Sequence, residues 1–166
     1  MSGGHIEVRE ATAADVPVLL ELVDALADYE KLTRPDAAAR ERLARDGFGE
    51  RPVFNAYLPE LDGKAVGYAI TFFTYSSFLA RPTLYLEDLF VLPEGRRHGV
   101  GKAIFHSLAR EAVERGCGRM EWVVLDWNQP AIDFYERLGA RRLNGWYTYR
   151  LTAEELLTMA EKAESA

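Results

Sequence analysis

The feature that most constrains the fold is a strand, a loop and a helix in direct succession between residues 83 and 116. Residues 83–92 read Thr-Leu-Tyr-Leu-Glu-Asp-Leu-Phe-Val-Leu, a nearly continuous apolar run that Pro93 ends. Apolar side chains at both alternating positions predict a central strand that is buried on both faces. Apolar residues then recur at helical spacing from Val100 to Ala112, and Gly116 marks the end of the predicted helix.

The rest of the chain predicts further strands and helices in mixed order. Thr12 and Asp15 have the spacing of a capping box that opens a helix to Glu30, and Asp62-Gly63 favours a tight hairpin turn. This order favours a mixed α/β fold of one domain, without internal repeats or a long linker. The predicted strands are 6–9, 53–60, 65–75, 83–92, 119–126 and 146–151; further helices are expected at about 36–46, between Asn128 and Gly139, and from about 153.

The composition limits the classes of function that such a fold can serve. The chain has 166 residues, of which 48% are hydrophobic and 28% charged, which is typical of one globular domain over residues 1–166. Its formal net charge of −6 argues against a nucleic-acid partner and favours a cationic one. Cys117 is the single cysteine, which excludes an intrachain disulfide and a cysteine-based zinc site.

The histidines and the apolar runs of the sequence bear on metal binding and on location. His5, His98 and His106 lack the spacing of metal ligands, so we expect no metal. No apolar run approaches the roughly 20 residues of a membrane span, and the polar start at residues 1–5 lacks the apolar core of a secretory signal. We therefore expect a cytoplasmic protein without a membrane partner.

The loop at residues 94–102, Glu-Gly-Arg-Arg-His-Gly-Val-Gly-Lys, has the composition of an anion-binding site. A loop that opens a helix directs free backbone N–H groups and the positive end of the helix dipole at one point. Gly99 and Gly101 let a ligand approach the main chain, and the neighbouring arginines suit a phosphorylated ligand. The alternative is a glycine-rich connector whose arginines are simply solvated.

Two common phosphate motifs do not match this loop. Arg96 and Ala103 stand where a P-loop needs glycine and then serine or threonine, and Ile104 stands where a dinucleotide fingerprint needs glycine. The pattern Arg-x-x-Gly-x-Gly, formed by Arg96, Gly99 and Gly101, resembles the acetyl-CoA motif of the GNAT N-acetyltransferase superfamily.

Other stretches resemble the diamine (spermidine/spermine) N-acetyltransferase branch of that superfamily. Together these matches cover about residues 6–160. They are Ala11-Thr-Ala-Ala-Asp15, Ala27-Asp-Tyr-Glu30, Asp46-Gly-Phe-Gly-Glu50, Phe73-Thr-Tyr75, Leu84-Tyr-Leu-Glu-Asp88, and Trp127-Asn-Gln-Pro130 followed by Phe134-Tyr135.

The resemblance implies a GNAT fold and an acetyltransferase activity. The expected fold is a twisted, mixed sheet of six to seven strands flanked by helices, with acetyl-CoA in a cleft between two splayed central strands. The expected reaction is direct transfer of acetyl to a primary amine of a small molecule, such as a polyamine, a diamine or a lysine-like amine. The alternatives are a peptide or protein N-acetyltransferase and a non-catalytic acyl-CoA-binding sensor.

The resemblance also implies which residues bind each substrate. The cofactor would be held by main chain of the strand, by the loop, and by the start of the following short helix. These residues are Leu89, Phe90, Val91, Arg96, Arg97, His98, Gly99, Val100, Gly101, Lys102, Asn128, Gln129, Pro130 and Ala131. The amine would be bound by Tyr29, Glu30, Glu87, Asp88, Glu121, Trp122 and Val123.

Two residues are expected to move protons. An alkylammonium ion has a pKa of about 10.4, so it must lose a proton before it can attack. Glu87 is the candidate base, because desolvation in an apolar strand raises the pKa of a carboxyl; the alternative is a structural carboxylate. Asp88 points to the opposite face unless a bulge redirects it. Tyr135 matches the family's general acid, although its position alone favours a half-buried aromatic beside Phe134.

The sequence departs from the polyamine enzymes around the expected amine site. Ser76 replaces an acidic residue, Phe78 replaces a tryptophan, and Asn144-Gly145 replaces a pair of glutamates. Since a polycation needs several spaced carboxylates, a smaller amine is favoured. The resemblance further implies a homodimer, and the aromatic run of Tyr68, Phe72, Phe73, Tyr75 and Phe78 is compatible with an interface.

Overall fold

The structure is a computed structural model that describes residues 4–163. Two compact units make up the chain: one runs to Leu125 and the other begins at Asp126. Residues 1–3, part of the polar start that argues against a secretory signal, lie outside the described residues. The single domain over residues 1–166 stays a prediction.

One mixed sheet organises the first unit, in the order β1-β2-β4-β5-β6, with β3 paired to β2. All neighbours are antiparallel except β5 and β6, which are parallel. The expected mixed α/β sheet of at least six strands is therefore confirmed. The strands are β1 (Ile6–Glu10), β2 (Asn55–Leu61), β3 (Lys64–Ala65), β4 (Gly67–Ser76), β5 (Arg81–Val91) and β6 (Arg119–Glu121).

The predicted hairpin turn lies between β2 and β3. Asp62 and Gly63 have φ values of 53° and 79°. Two successive positive φ values define a type I′ turn, whose twist matches that of paired strands. The Asp-Gly pair thus accounts for the reversal of the chain at this point.

The helices agree closely with the expected segments. Within residues 4–163 they are α1 (Val16–Glu30), α2 (Ala37–Phe48), α3 (Val100–Glu114), α4 (Gln129–Arg137) and α5 (Ala153–Ala163). The capping box of Thr12 and Asp15 is present just before α1, in a short 3-10 turn. Arg9 reinforces it with two bonds to the Asp15 carboxylate, at 2.8 and 2.9 Å, and a third to Glu60 at 2.7 Å. The start of α1 is thereby tied to β1 and β2.

The core on one face of the sheet is formed with α1. Leu19 and Leu22 of α1 pack with Leu58 of β2, Tyr68 of β4 and Phe90 of β5, and all five are buried. These strand residues point to the same face because side chains alternate along each strand. This packing fixes α1 against the face formed by β2, β4 and β5.

The other face of the sheet packs against α3. Tyr57 lies between two residues of the α1 core and therefore points the opposite way, where its hydroxyl donates to Glu111 of α3. Ile104 and Leu108 on the same helix are fully buried. Helices thus cover both faces, as predicted for a central β5.

The predictions of two strands are wrong, because one strand is shorter than expected and the other does not form. The strand expected at 119–126 ends at Glu121, since β6 pairs with β5 only from Thr83 to Tyr85. The strand expected at 146–151 does not form in the second unit, where Trp146, Tyr147 and Tyr149 are exposed. Aromatic residues favour strands, but a strand also needs a hydrogen-bonded neighbour, and no described residue pairs with this segment.

Candidate active site

A β-bulge interrupts β5 at the pair of carboxylates. Ile70 of β4 faces Asp88, but the next residue, Thr71, faces Leu86, so Glu87 is an extra residue without a partner on β4. Bulges bend a strand and redirect side chains. Asp88 consequently lies on the α1 face, where it meets Tyr68. The condition under which Asp88 was expected to reach the amine side is fulfilled.

The parallel pairing of β5 and β6 stops just before this bulge. Tyr85 and Glu121 are the last paired residues, although β5 continues to Val91. On its other edge, β5 stays paired with β4 through Gly67 and Val91. Gly67 is required there, since a Cβ would lie 2.3 Å from the carbonyl oxygen of Phe90. Among residues 4–163 no strand pairs with the β6-side edge of 86–91, so main-chain groups on this edge, other than the Val91 carbonyl that accepts from Arg96, can bind a ligand.

The loop predicted to bind an anion, residues 94–102, follows β5, and we call its residues 96–102 the cradle. Gly99 is the N-cap of α3 and has a φ of 88°, a left-handed conformation that glycine adopts without strain. The first helical bond runs from Ala103 to the Gly99 carbonyl. The N–H groups of Val100, Gly101 and Lys102 therefore point out of the helix without helical partners.

The cradle has the chemistry of a diphosphate-binding site. The first turn of α3 contains no acidic residue, so no carboxylate of that turn offsets the positive helix end. Arg97, His98 and Lys102 are exposed, whereas Val100 is buried and anchors the turn. Main-chain donors, a helix end and flanking cations are the features that diphosphate recognition requires.

The two adjacent carboxylates have different environments. Glu87 is exposed, so the burial on which its expected role as base depended is absent. Asp88 is partly buried, and burial, assisted by the charge of Glu87, raises its pKa to about 6. The hydroxyl of Tyr68 donates to Asp88 over 3.2 Å, which lowers the pKa and limits the rise. Desolvation in the strand therefore raises the pKa of Asp88.

Glu30 adds a third carboxylate to the same face. It is the last residue of α1, and burial raises its pKa. Its charge contributes to the raised pKa of Asp88, and Glu30, Glu87 and Asp88 all raise the pKa of the buried Tyr68. We call Glu30, Glu87 and Asp88 the carboxylate face. Three converging negative charges make this region suited to an ammonium ion.

Tyr29 lies beside the carboxylate face and also meets the cradle. Its ring centre is 6.1 Å from that of Phe90 at an angle of 49°. The guanidinium carbon of Arg96 lies 5.4 Å from the Tyr29 ring centre and 5.8 Å from that of Phe90. The side chain of Arg96 therefore lies over these two rings, and its expected role toward the cofactor stays a prediction.

The predicted residues on β6 separate into different surroundings. Glu121 pairs in register with Tyr85. Burial raises the pKa of Tyr85, and the charges of Glu87 and Glu121 raise it further. Trp122 packs edge-to-face on Phe105 of α3, with ring centres 5.1 Å apart. Val123 is exposed beyond the end of the strand. Glu121 thus lies on the acidic side of the site, where it is ion-paired with Arg119 over 3.0 Å, whereas Trp122 packs against α3.

The remaining predicted residues belong to the second unit. Asn128 caps α4 by accepting from the N–H of Ala131 over 3.4 Å, and Gln129 and Pro130 form the first turn. Tyr135 is partly buried, with its ring centre 5.5 Å from that of Phe134. The predicted cap is confirmed, and the roles of these residues toward acetyl-CoA stay predictions.

Sequence analysis missed the part that Tyr68 and Tyr85 play. Tyr68 was grouped with aromatics of a possible interface, but it is fully buried and bonds Asp88. Its alternation with Ile70 along β4 was the signal for a core position. Tyr85 stacks on Phe72, with ring centres 5.2 Å apart, next to Glu87 and Glu121. These phenols line the acidic side of the site.

Comparison with known proteins identifies the class that this fold and site define. Residues 19–140 match the Acetyltransferase (GNAT) family, and the chain belongs to that family. It is an N-acetyltransferase. It shares 38% identity with thialysine N-epsilon-acetyltransferase of Sus scrofa, over 93% of this chain and 97% of the relative.

Two other relatives carry different substrate names. The L-ornithine N5-acetyltransferase of Arabidopsis thaliana is 32% identical over 90% of this chain and 85% of its own. The human spermidine/spermine N(1)-acetyltransferase-like protein 1 is 35% identical over 94% of this chain but only 24% of its own length. All three names describe transfer to small amines.

Solved structures confirm the fold. An integron cassette protein of V. cholerae superposes with a TM-score of 0.79 and 21% identity, covering 94% of this chain and 98% of its own. A ribosomal-protein-alanine N-acetyltransferase from Brucella melitensis gives a TM-score of 0.70 and 22% identity, over 89% and 99%. In residues 4–163, none of the helices has both the length and the apolar character to cross a membrane.

Proposed function

We propose that this chain transfers acetyl from acetyl-CoA to the primary amine of a small, lysine-like molecule by direct attack. The observation that supports this proposal is a juxtaposition within the first unit. The cradle, which suits a diphosphate, follows directly on the strand whose bulge presents Glu87 and Asp88 beside Glu30. One substrate is an anion with a long arm and the other a cation, and the two regions have the matching charges.

The proposed substrate class rests on the acidic side of the site and on the relatives. Thialysine and ornithine, the substrates in two of the relatives' names, each carry a side-chain ammonium on a short arm. Glu30, Glu87 and Asp88 provide charge for one such ammonium. Ser76 is buried, and its hydroxyl accepts from the N–H of Leu79 over 3.2 Å, so it adds no charge for the far end of a polyamine.

The carboxylate face would bind the ammonium and remove its proton. Glu87, exposed on the bulge, meets the incoming cation, and Glu30 adds to the attraction. Asp88 has the raised pKa and is therefore the stronger base, so we revise the expected base from Glu87 alone to this pair, with Asp88 as the final acceptor. The free amine then attacks the carbonyl carbon of the acetyl group.

The remaining residues would bind acetyl-CoA, which supplies the reactive thioester. Within residues 4–163 no strand pairs with Leu89, Phe90 and Val91 on the β6 side, and their main-chain groups, apart from the Val91 carbonyl that accepts from Arg96, would bind the pantetheine arm and polarise the thioester carbonyl. The cradle would hold the diphosphate, and residues 128–131 would flank the chain of the cofactor. Tyr135 would donate a proton to the leaving thiolate.

The decisive experiment measures release of free thiol from acetyl-CoA across a panel of amines. The panel contains thialysine, lysine, ornithine, spermidine, spermine and a peptide with a free N-terminus. We expect the highest kcat/KM for one of the first three. Turnover of the peptide alone would establish the peptide acetyltransferase alternative. Binding of acetyl-CoA without thiol release for any amine would establish the sensor alternative.

We also propose a homodimer, supported by an exposed hairpin. The strands β4 and β5 extend beyond the pairing with β2, which ends at Asn55 and Thr71. On this hairpin Tyr75 is 67% exposed and Phe78 fully exposed, while Phe73 is partly exposed. Light scattering at micromolar concentration should give about twice the chain mass of 18.7 kDa. A cytoplasmic location is proposed on the single cysteine alone.

A further inference from the structure

The side chain of Arg96 connects the cradle to the amine side. Arg96 is the first residue of the cradle, directly after the turn Pro93–Gly95. Its Nε donates to the carbonyl oxygen of Val91 over 2.9 Å. Its guanidinium also lies over the rings of Tyr29 and Phe90, as described above. All these contacts are to the ends of β5 and α1.

The chemistry of this contact requires arginine. A guanidinium is planar, so it can lie on aromatic faces while its Nε makes a directed hydrogen bond. A lysine ammonium keeps the charge but has no plane and no Nε donor at that position. Arg96 and Arg97 are both exposed, but Arg96 has an extended backbone, whereas Arg97 has a φ of 64°. The two neighbouring side chains therefore leave the main chain in different directions.

The element that Arg96 holds carries two amine-side residues. Tyr29 and Glu30 are the last two residues of α1, and Lys31 ends the helix in a left-handed conformation. Tyr29 is 36% exposed, and its contacts include the guanidinium of Arg96 and the ring of Phe90. These two contacts help to fix the ring, and Glu30 follows on the same helical turn.

We propose that Arg96 is a positioning residue for the amine, which fixes Tyr29 and Glu30 against the end of β5 and couples their order to the cradle. The inference rests on the proposed function, because the carboxylate face must bind the amine. Ordering of the cradle by CoA then orders the end of α1, so CoA increases the affinity for the amine. Linkage requires the amine to increase the affinity for CoA by the same factor.

The first test compares equal changes at the two arginines. Arg96→Lys and Arg96→Gln should each raise the KM for the amine about fivefold, because the ring contact and the Nε bond are lost. Their affinity for acetyl-CoA in the absence of the amine, measured by calorimetry, should stay within about twofold of wild type, because the main-chain donors of the cradle remain. Arg97→Gln removes the same charge and should raise the KM for acetyl-CoA instead. Circular dichroism and thermal melting of each variant establish that it is folded.

Two results of this comparison would overturn the inference. In the first, Arg96→Lys restores the wild-type KM for the amine, which would mean that charge alone matters. In the second, Arg96→Gln and Arg97→Gln both raise only the KM for acetyl-CoA, which would make Arg96 a ligand of the diphosphate. Absence of thiol release by the wild-type enzyme would contradict the proposed function instead, so the two failures are distinguishable.

The second test measures coupling without turnover. Calorimetry gives the affinity of the wild-type protein for the amine with and without CoA, and we expect CoA to increase it about fivefold. Arg96→Lys and Tyr29→Leu should each abolish this increase, whereas Tyr29→Phe, which keeps the ring, should retain it. The same increase in all four proteins would overturn the proposed coupling.

Discussion

The cradle and the carboxylate face lie close together along β5, yet they are built by different means. The cradle uses consecutive residues, 96–102, and its main donors are backbone N–H groups at the start of α3. The carboxylate face uses side chains from α1 and β5, and its properties depend on a bulge and on burial. A site built from main-chain groups is determined by residues that are close in sequence. A site built from side chains depends on how distant segments of the chain pack together.

This difference predicts how the two regions respond to substitution. A substitution at most positions of the cradle leaves the backbone N–H groups in place. The glycines are the sensitive positions, because an added side chain disfavours a positive φ or covers the main chain. At the carboxylate face every function is carried by a replaceable side chain. Specificity for the cofactor should therefore be robust, and specificity for the amine should be easy to change.

Neither region supplies the proton for the leaving thiolate, and the largest effect is expected at the residue proposed to do so. Tyr135→Phe should lower kcat about 10²–10⁴-fold, because a positioned acid contributes a factor of this size. Acetyl-CoA affinity, measured by calorimetry, should hardly change. Tyr147→Phe, at an exposed tyrosine in the same unit, is the matched control and should keep wild-type activity. Wild-type turnover by Tyr135→Phe would reject the assignment.

The next largest effect distinguishes the two adjacent carboxylates. Asp88→Asn should lower kcat/KM for the amine about 10²-fold, because the asparagine cannot accept the proton. Glu87→Gln should lower it about tenfold, chiefly through KM, because it removes attraction for the cation. Both variants should bind acetyl-CoA normally in calorimetry. A larger loss of kcat in Glu87→Gln would restore Glu87 as the base.

The cradle should respond to a single added side chain. Gly99→Val should weaken acetyl-CoA binding at least tenfold, about 1.4 kcal/mol, because valine disfavours a φ of 88° and covers the main chain. Gly116→Val is the matched control, since Gly116 also has a positive φ, 68°, at the other end of α3, with open space around it. Equal acetyl-CoA affinity in the folded Gly99→Val variant and in wild type would remove the cradle from the cofactor site.

The pH profile probes the carboxylate face. The base must be ionised, so kcat/KM should rise with pH through a midpoint near the Asp88 pKa of about 6. Burial, Glu87 and Glu30 raise this pKa, whereas the bond from Tyr68 lowers it. Tyr68→Phe should therefore move the midpoint to higher pH. An unchanged midpoint would show that Asp88 is not the group that titrates.

The smallest effect concerns the length of the amine. With a single carboxylate face, kcat/KM should differ less than about tenfold between a lysine-like amine and spermine, because a screened ion pair contributes about 1 kcal/mol. Asn144→Glu, at an exposed position, should raise the relative kcat/KM for spermine, with a gain that shrinks as salt increases. A hundredfold preference of the wild type for spermine would contradict this reasoning.

Local signals account for what the sequence predicts well. The type I′ turn depends on Asp62-Gly63, the start of α4 on Asn128, and the cradle on the spacing of Arg96, Gly99 and Gly101. Each of these structures is decided by residues within a few positions of one another. The GNAT fold could be predicted for the same reason, since its motif is contiguous.

Interactions between distant segments account for what could not be predicted. A strand of period two gives no sign that Glu87 is unpaired, because the bulge depends on the register with β4. The proposed exchange of roles between Glu87 and Asp88 follows from that register. Similarly, the early end of β6 depends on its pairing with β5, and the placement of Arg96 on Tyr29 depends on the packing of α1.

Because of the bulge, Glu87 has no partner on β4, and the pairing of β4 with β5 does not need it. Leu86 already faces Thr71 and Asp88 already faces Ile70, so a chain lacking Glu87 would keep both sets of partners and become a regular strand. The sheet can therefore spare this residue entirely. Deletion of Glu87 would remove one carboxylate and keep the register of β4 with β5, and insertion of a residue here would restore it. The bulge thus offers a second route to a new amine preference, by deletion or insertion of one residue, besides substitution of the side chains.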